Sequence, residues 1–331
     1  MTNPQRPSED ELIARFFAPL AGEGGLGLTD DAALLRPAPG HDLVLTVDGI
    51  VAGVHFLPGD PPAAIARKAL GVNLSDLAAK GAEAAGFLLT LALPDDWTED
   101  WMRLFSQGLG EAAESFRCPL LGGDTVRANG PLWMSITALG QVPTGRMVRR
   151  GAAQSGDRLC VTGTIGDAAL GLALRRGDLP AWAARLSRAE RDDLEDRYLH
   201  PRPRLAVAQA LREHARAAMD VSDGLAGDLA KMMRASGTSA SVDVNAIPVS
   251  AAASTALASD PRLIDRMVTG GDDYEILSAV PEDRVAMFLE KTAAAGVETT
   301  VIGTVQDGEE PPVFRDGHAE RRYDRGSFSH F

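Results

Sequence analysis

Short apolar, β-branched runs alternate with longer stretches of helical periodicity along this whole chain, and that alternation restricts the fold more than any other feature. DLVLTVDGIVAG (42–53), FLLTLALP (87–94) and LWMSITALGQV (132–142) read as strands, the first as a buried strand ending at Asp48. CPLLGGDT (118–125) reads as a strand running into a loop. Between them, PPAAIARKALGVNLSDLAAKGA (61–82) and TEDWMRLFSQGLGEAAESF (98–116) read as helices, the first opened by proline and stopped near Gly81. Ser8 followed by Glu11 predicts a capping box for a helix reaching Leu20. A second α/β run begins at RLCVTGTIGDAALGLALRRG (158–177) and continues through AAMDVSDG, LAGDLAKMMRASG, SASVDV, TGGDDYE, ILSAV and TTVIGTV.

With 331 residues the chain exceeds one ordinary hydrophobic core. PTGRMVRRGAAQSGD (143–157), rich in Gly, Pro and Arg, reads as the connecting segment, so we expect domains at 1–148 and 149–331, each a mixed α/β layer of sheet and packed helices. The tetrads Asn73–Asp76 and Asp220–Asp223, and the pairs of glycines in GGDT and GGDDYE, echo each other and hint at a duplication.

A net charge of −13 argues against nucleic acid or an anionic membrane as partner. The longest apolar stretch, AAGFLLTLAL (84–93), is too short to span a bilayer, and the polar N-terminal residues carry no signal core, so a cytoplasmic location is expected. Cys118 and Cys160 are the only cysteines, too few for a disulfide framework or a CxxC metal site. Lysine occurs only at Lys68, Lys80, Lys231 and Lys291, so a polyanionic ligand needs arginines, backbone amides or metal ions.

GEGGLG (22–27) fits the dinucleotide pattern by letter but lacks a preceding strand and a following helix, and the Walker A, HExxH, GxSxG and EF-hand signatures are absent. What remains is a set of acids after apolar runs or beside glycines: Asp30, Asp31, Asp48, Asp76, Asp124, Asp220, Asp223, Asp228, Asp272 and Asp273. Singly, each is a turn or cap residue, and Asp76 and Asp223 fit that role. Brought together at strand ends they would repel one another unless cations intervene. Carboxylates without histidine or thiolate partners select Mg²⁺, Mn²⁺ or Ca²⁺, and Mg²⁺ is usually shared with substrate phosphates. Gly122 and Gly123 would then admit a phosphate to the backbone amides while Asp124 holds its metal.

The ordered set DDAALL, TVDGIVAGVHF, NLSDLAAKGA, GGDT, VTGTIGDAALGLA, MDVSDGLAGDL, GGDDYEIL and GSFSHF resembles the thiamine-monophosphate kinase family, within the aminoimidazole ribonucleotide synthetase-like superfamily, over essentially the whole chain. The resemblance implies that superfamily's two-domain fold, a homodimer joined through the N-terminal domains, several Mg²⁺ ions, and ATP-dependent phosphorylation of thiamine monophosphate to thiamine diphosphate. Direct in-line transfer without a general base is the expected mechanism. By motif, Asp31, Asp48, Asp76, Asp124, Asp220 and Asp223 correspond to metal ligands, with Thr46 and the Val47 carbonyl beside Asp48. Gly123, Asp124, Arg150 and Ser222 correspond to ATP-binding positions, and His55, Asp272 and Phe328 to positions around thiamine phosphate. Two departures stand out: Val47 where the family often carries a hydroxyl, and GGDDYE in place of GGEDYE, which shortens the reach of Asp272. A selenophosphate synthetase would carry a reactive cysteine in an N-terminal glycine-rich segment, and none is here. A regulatory nucleotide binder without turnover is the remaining rival.

Overall fold

Ser8 opens the first helical element as its spacing to Glu11 requires: its hydroxyl accepts from the Glu11 amide at 3.3 Å, and Glu11 accepts from the Ser8 amide at 2.8 Å. The computed structural model describes residues 7–177 and 180–323. The helix expected to reach Leu20 lasts one turn, α1 (Glu9–Leu12). The backbone then widens into a π turn over Ile13–Phe17 and tightens into a 3-10 turn over Ala18–Leu20, where Pro19 has no amide to give an α-helix.

The chain folds into two units, Met1–Leu77 with Glu83–Gly145, and Ala78–Ala82 with Arg146–Phe331. After α1, the first unit is built from β1 (His41–Val51), α2 (Pro62–Ala79, whose last two residues count with the second unit), β2 (Glu83–Leu93), α3 (Glu99–Phe116), β3 (Leu120–Arg127) and β4 (Trp133–Pro143). Its sheet has the order β1-β4-β2-β3, with only β2 and β3 parallel. One face buries Ile136, Met134, Leu89 and Leu91. This is the side of α2, since Thr46 and Asp48, in the same alternate set of β1, bond to α2 residues Asp76 and Asn73. The other face stays open, with Leu43, Leu45, Val47 and Leu88 exposed by 40%, 60%, 60% and 37%.

Two expectations are therefore corrected. β1 is neither buried nor finished at Asp48: it is an edge strand that continues to Val51, and its second apolar face has no layer above it within the unit. The apolar run of residues reports two apolar faces but not who covers them. GGDT, expected to leave the sheet, stays in β3, with Gly123 opposite Leu89 and Asp124 opposite Thr90. A Cβ on Gly123 would stand 1.9 Å from the Leu89 carbonyl oxygen, so the close approach of β2 and β3 itself demands glycine there.

The second unit contains β5 (Arg158–Thr162), α4 (Asp167–Arg175), α5 (Arg188–Leu199), α6 (Ala208–His214), β6 (Ala217–Val221), α7 (Leu225–Ser236), β7 (Ser239–Asp243), α8 (Ala251–Ser259), α9 (Leu263–Thr269), β8 (Glu275–Val280), α10 (Val285–Ala294), β9 (Thr299–Gln306), β10 (Val313–Asp316) and β11 (Ala319–Arg321). Its sheet runs β11-β10-β7-β9-β5-β8-β6. Both faces are covered. Leu159, Val161, Met219 and Leu277 pack with Leu229 and Met232 of α7, while Cys160, Ala218 and Ile276 pack with Leu211 of α6 and Phe288 of α10. That is why AAMDV and EILSAV are buried at every position. Cys118 and Cys160 are wholly buried, and burial pushes both thiols up to about 12.

At the start of β8 a charge cluster forms around the wholly buried Glu275. Glu275 accepts from Arg197 at 2.8 Å, from Arg204 Nε at 2.6 Å and from the Thr162 hydroxyl at 2.7 Å. Removing the acid's charge takes the nearest carboxylate from the buried Arg197, which keeps only Asp167 at 3.9 Å, and from the partly buried Arg204; breaking a buried pair costs about 3–5 kcal/mol. Glu275→Gln should accordingly lower the urea midpoint by that amount of stability, and Gly123→Ala should cost at least about 1–3 kcal/mol by overpacking. Wild-type midpoints in either variant would contradict these assignments.

Candidate active site

In the first unit the site acids fall into two groups, set by strand alternation. Thr46, Asp48 and Asp76 share the α2 side: the Thr46 hydroxyl donates to Asp76 Oδ2 at 2.5 Å, and the Asp48 amide donates to Asn73 Oδ1 at 2.9 Å. Asn73 and Asp76 are three residues apart on α2 and so present their side chains to the same edge of the sheet. Val47 points the opposite way, as alternation requires, leaving its carbonyl as the only oxygen it offers. Asp124 belongs to the next row, with Thr90, Ser135 and Gly49 across the sheet, whereas the Asp48 row is Ile136, Leu89 and Gly123. The register therefore places Asp124 and Asp48 on opposite faces.

Asp124 lies instead with Asp30 and Asp31, both exposed, around a cleft of about 700 Å³. Gly122, Gly123 and Thr125 line it beside the acids, and Leu28, Leu35, Leu88, Leu121 and Leu139 supply apolar walls. A cleft with a leucine floor and a carboxylate rim suits a flat apolar group attached to a metal-bound polyanion. The GEGGLG segment, which the sequence leaves as a loop, forms 3-10 turns over Glu23–Leu28 next to this cleft.

His55 sits in the turn after β1, and its Nδ1 accepts from the Val51 amide at 3.1 Å, which fixes the proton of a neutral ring on Nε2. Neither Asp48 nor Asp124 ends a strand, so delivery of acids by strand ends holds in the second unit but not in the first.

In the second unit Asp220 is the buried penultimate residue of β6, and Ser222 and Asp223 form the turn that follows. Fully buried Asp228 accepts from both turn amides, Ser222 and Asp223, at 3.0 Å each. Burial raises the Asp228 carboxyl above its ordinary value, opposed by Lys231 and by the turn amide. The GGDDYE loop is tied to the same turn: the Asp272 amide donates to the Ser222 carbonyl at 2.8 Å and the Tyr274 amide to Val221 at 2.8 Å. A Cβ on Gly271 would meet the Ser222 carbonyl oxygen at 2.5 Å, so this glycine too is required by backbone contact. Asp272 and Tyr274 hold left-handed backbone, φ 74° and 50°, around buried Asp273, both of whose carboxylate oxygens accept from the Gly166 amide at 3.0 and 2.8 Å. Arg150 is exposed, and its carbonyl accepts from Ser236. Phe328 lies outside the described residues.

The supposed internal echo does not extend to structure. Asn73–Asp76 lies inside a helix and Asp220–Asp223 at a strand end, while GGDT is a strand and GGDDYE a loop. Asp76 is no helix cap, and the N-cap position of α7 is Gly224 rather than Asp223. The sequence also gave no notice that Glu275, Arg197 and Arg204 form one buried cluster, since the arginines come from distant segments.

Among the described residues no three His, Cys, Asp or Glu side chains converge as a ready-made metal site. The donor chemistry nevertheless fits Mg²⁺: the acids are joined by hydroxyl and carbonyl oxygens, with no thiolate and no clustered imidazole.

Residues 29–142 match the AIR synthase related protein family, N-terminal domain, and residues 154–315 its C-terminal domain. Fold and site thus define an AIR synthase-related protein of two domains. The thiamine-monophosphate kinase of Caulobacter vibrioides is 42% identical over 94% of this chain and 88% of its own length. The solved thiamine-monophosphate kinase of Stenotrophomonas maltophilia superposes with a TM-score of 0.80 at 39% identity, covering 88% of this chain and 91% of that one. AaThiL complexed with AMPPCP and TMP superposes with a TM-score of 0.78 at 27% identity, covering 99% of this chain and 100% of that one. This chain belongs to the thiamine-monophosphate kinase family.

The buried Asp273 provides a pH test. Burial is the chief cause that holds its carboxyl well above the usual range, against the Gly166 amide, which favours the charged form. A folded-state value above the unfolded one means that the native protein binds the proton more tightly, so this contribution favours folding at low pH and is lost as pH rises through the folded value. Asp273→Asn removes it. Relative to wild type, the variant's Tm should rise as pH increases from about 4, the value of an unfolded aspartate; a difference that does not change with pH would contradict the assignment.

Proposed function

We infer that the protein transfers the γ-phosphoryl group of ATP to thiamine monophosphate, yielding thiamine diphosphate and ADP. The near full-length likeness to thiamine-monophosphate kinases carries this reading, and the acid-rimmed, leucine-floored cleft supports it. A terminal phosphate oxygen of thiamine monophosphate forms the new bond to the γ-phosphorus, and the bond to the β–γ bridging oxygen breaks, its electron pair leaving with ADP. The attacking phosphate is already anionic, so no side chain has to remove a proton. Catalysis then reduces to positioning and to charge compensation.

Three oxygen-donor sets would hold Mg²⁺: Thr46, the Val47 carbonyl, Asp48 and Asp76; Asp31 and Asp124; and Asp220 and Asp223. When bound, the ions would neutralise the triphosphate and stabilise charge on the transferred group. Gly123 lets the nucleotide approach the β3 backbone, Ser222 offers a hydroxyl, and Arg150 offers a planar fork for phosphate oxygens. Asp272, held in left-handed backbone, faces the cationic thiamine, and Phe328 adds an aromatic face for the thiazolium. His55 orients substrate rather than acting as a base. In the expected division at 1–148 and 149–331, the N-terminal domain carries Gly123 with the first two metal sets, and the C-terminal domain carries Arg150, Ser222, Asp220, Asp223 and Asp272. The open apolar face of β1 at Leu43, Leu45 and Val47 supports a homodimer in which a second copy covers it. Among the described residues no helix is long and apolar enough to cross a membrane, and use of ATP suits a cytoplasmic setting.

Incubation with ATP, Mg²⁺ and thiamine monophosphate should produce thiamine diphosphate. Asp124→Asn should lower kcat by at least about 100-fold, because even outer partners of metal ligands cost 10–100-fold. His55→Ala should raise KM while leaving the pH profile of kcat in place. A collapsed pH profile with intact substrate affinity would instead make His55 the base and overturn this mechanism.

A further inference from the structure

Asp223 already has a cation on it. Lys231, one turn into α7, donates to Asp223 Oδ2 at 2.5 Å and to Asp228 Oδ1 at 2.9 Å. The second oxygen of Asp228 is committed to the amides of Ser222 and Asp223. Asp228 is therefore a fixed post, buried and saturated, from which the ammonium reaches out to the neighbouring carboxylate. The lysine itself is not locked in: its side chain is 32% exposed, and it retains a partner in Asp228 if it releases Asp223. In a chain with four lysines among 331 residues, one of them is placed on an acid that the functional reading gives to a metal ion.

Two cations sharing a carboxylate repel each other, so an ion arriving at Asp223 meets an occupied ligand. Mg²⁺ is bound through a few carboxylates together with substrate phosphates. A nucleotide brings the negative charge that lets both cations remain, whereas the bare metal brings none. We propose that Lys231 is the resident counter-cation of Asp223, a positioning residue that holds this carboxylate in the cation-free protein and keeps divalent-ion binding weak until nucleotide phosphates arrive. The inference rests on the assignment of Asp223 to a metal.

Titration of the nucleotide-free protein with Mn²⁺, followed by electron paramagnetic resonance of the free ion and by calorimetry, tests it without turnover. Lys231→Met should tighten Mn²⁺ binding by about tenfold, equivalent to about 1.4 kcal/mol. Lys231→Arg, which keeps the charge, should stay within about twofold of wild type, and this comparison separates loss of charge from a structural change in α7. Equal or weaker binding by Lys231→Met overturns the proposal. Asp223→Asn tells the two readings apart. If it leaves Mn²⁺ binding at the wild-type level, the metal assignment falls and the proposal with it; if it weakens binding while Lys231→Met fails to tighten it, only the counter-cation role falls.

Discussion

Compensation of carboxylate charge governs this molecule. With 46 acidic residues against 33 Lys and Arg, every acid taken out of water needs a specific partner. The second unit supplies one for each of its four most deeply buried acids: Arg197 and Arg204 for Glu275, the Gly166 amide for Asp273, Ser250 and Thr164 for Asp167, and the turn amides with Lys231 for Asp228. These bonds also tie neighbouring elements together, some of them distant in sequence. Asp273 joins the GGDDYE loop to the start of α4, and Asp228 joins the turn after β6 to α7. The acids around the first unit's cleft differ, since Asp30, Asp31 and Asp124 face solvent. The chain thus divides its acids between those that brace the backbone and those left for ligands.

Glycine works within the same scheme. The pair ahead of Asp124 and the pair ahead of Asp272 look alike in sequence because both precede an aspartate, yet they act in different elements. Gly123 lets two parallel strands close up, and Gly271 lets a loop rest on the Ser222 carbonyl. In each case the absence of a side chain fixes the position of the aspartate that follows.

Much of this was legible in the sequence, for reasons that can be named. The alternation of periods gave the mixed α/β class; Ser8 and Glu11 gave the first cap; the motif order gave the family. Pattern reading failed where the deciding partner is remote. The residues of β1 cannot reveal that it is an edge strand with one open face, because apolar positions look alike whichever layer covers them. Alternation does predict that Val47 and Asp48 diverge, but only the pairing of β3 with β2 reveals that Asp124 lies on the opposite face from Asp48. The Glu275 cluster draws on Arg197 and Arg204, some seventy residues upstream, and no local signal marks them. Lys231 was closer to hand, since its spacing of three from Asp228 in a helix already implies a pair.

The two cysteines lead to a practical outcome. Both thiols are enclosed in packed interiors and strongly disfavour the thiolate that alkylating reagents require. The native chain is therefore a quiet background for labelling. A single cysteine introduced at an exposed position such as Val54 would take a fluorophore or spin label selectively, with no need to strip the natural thiols out first.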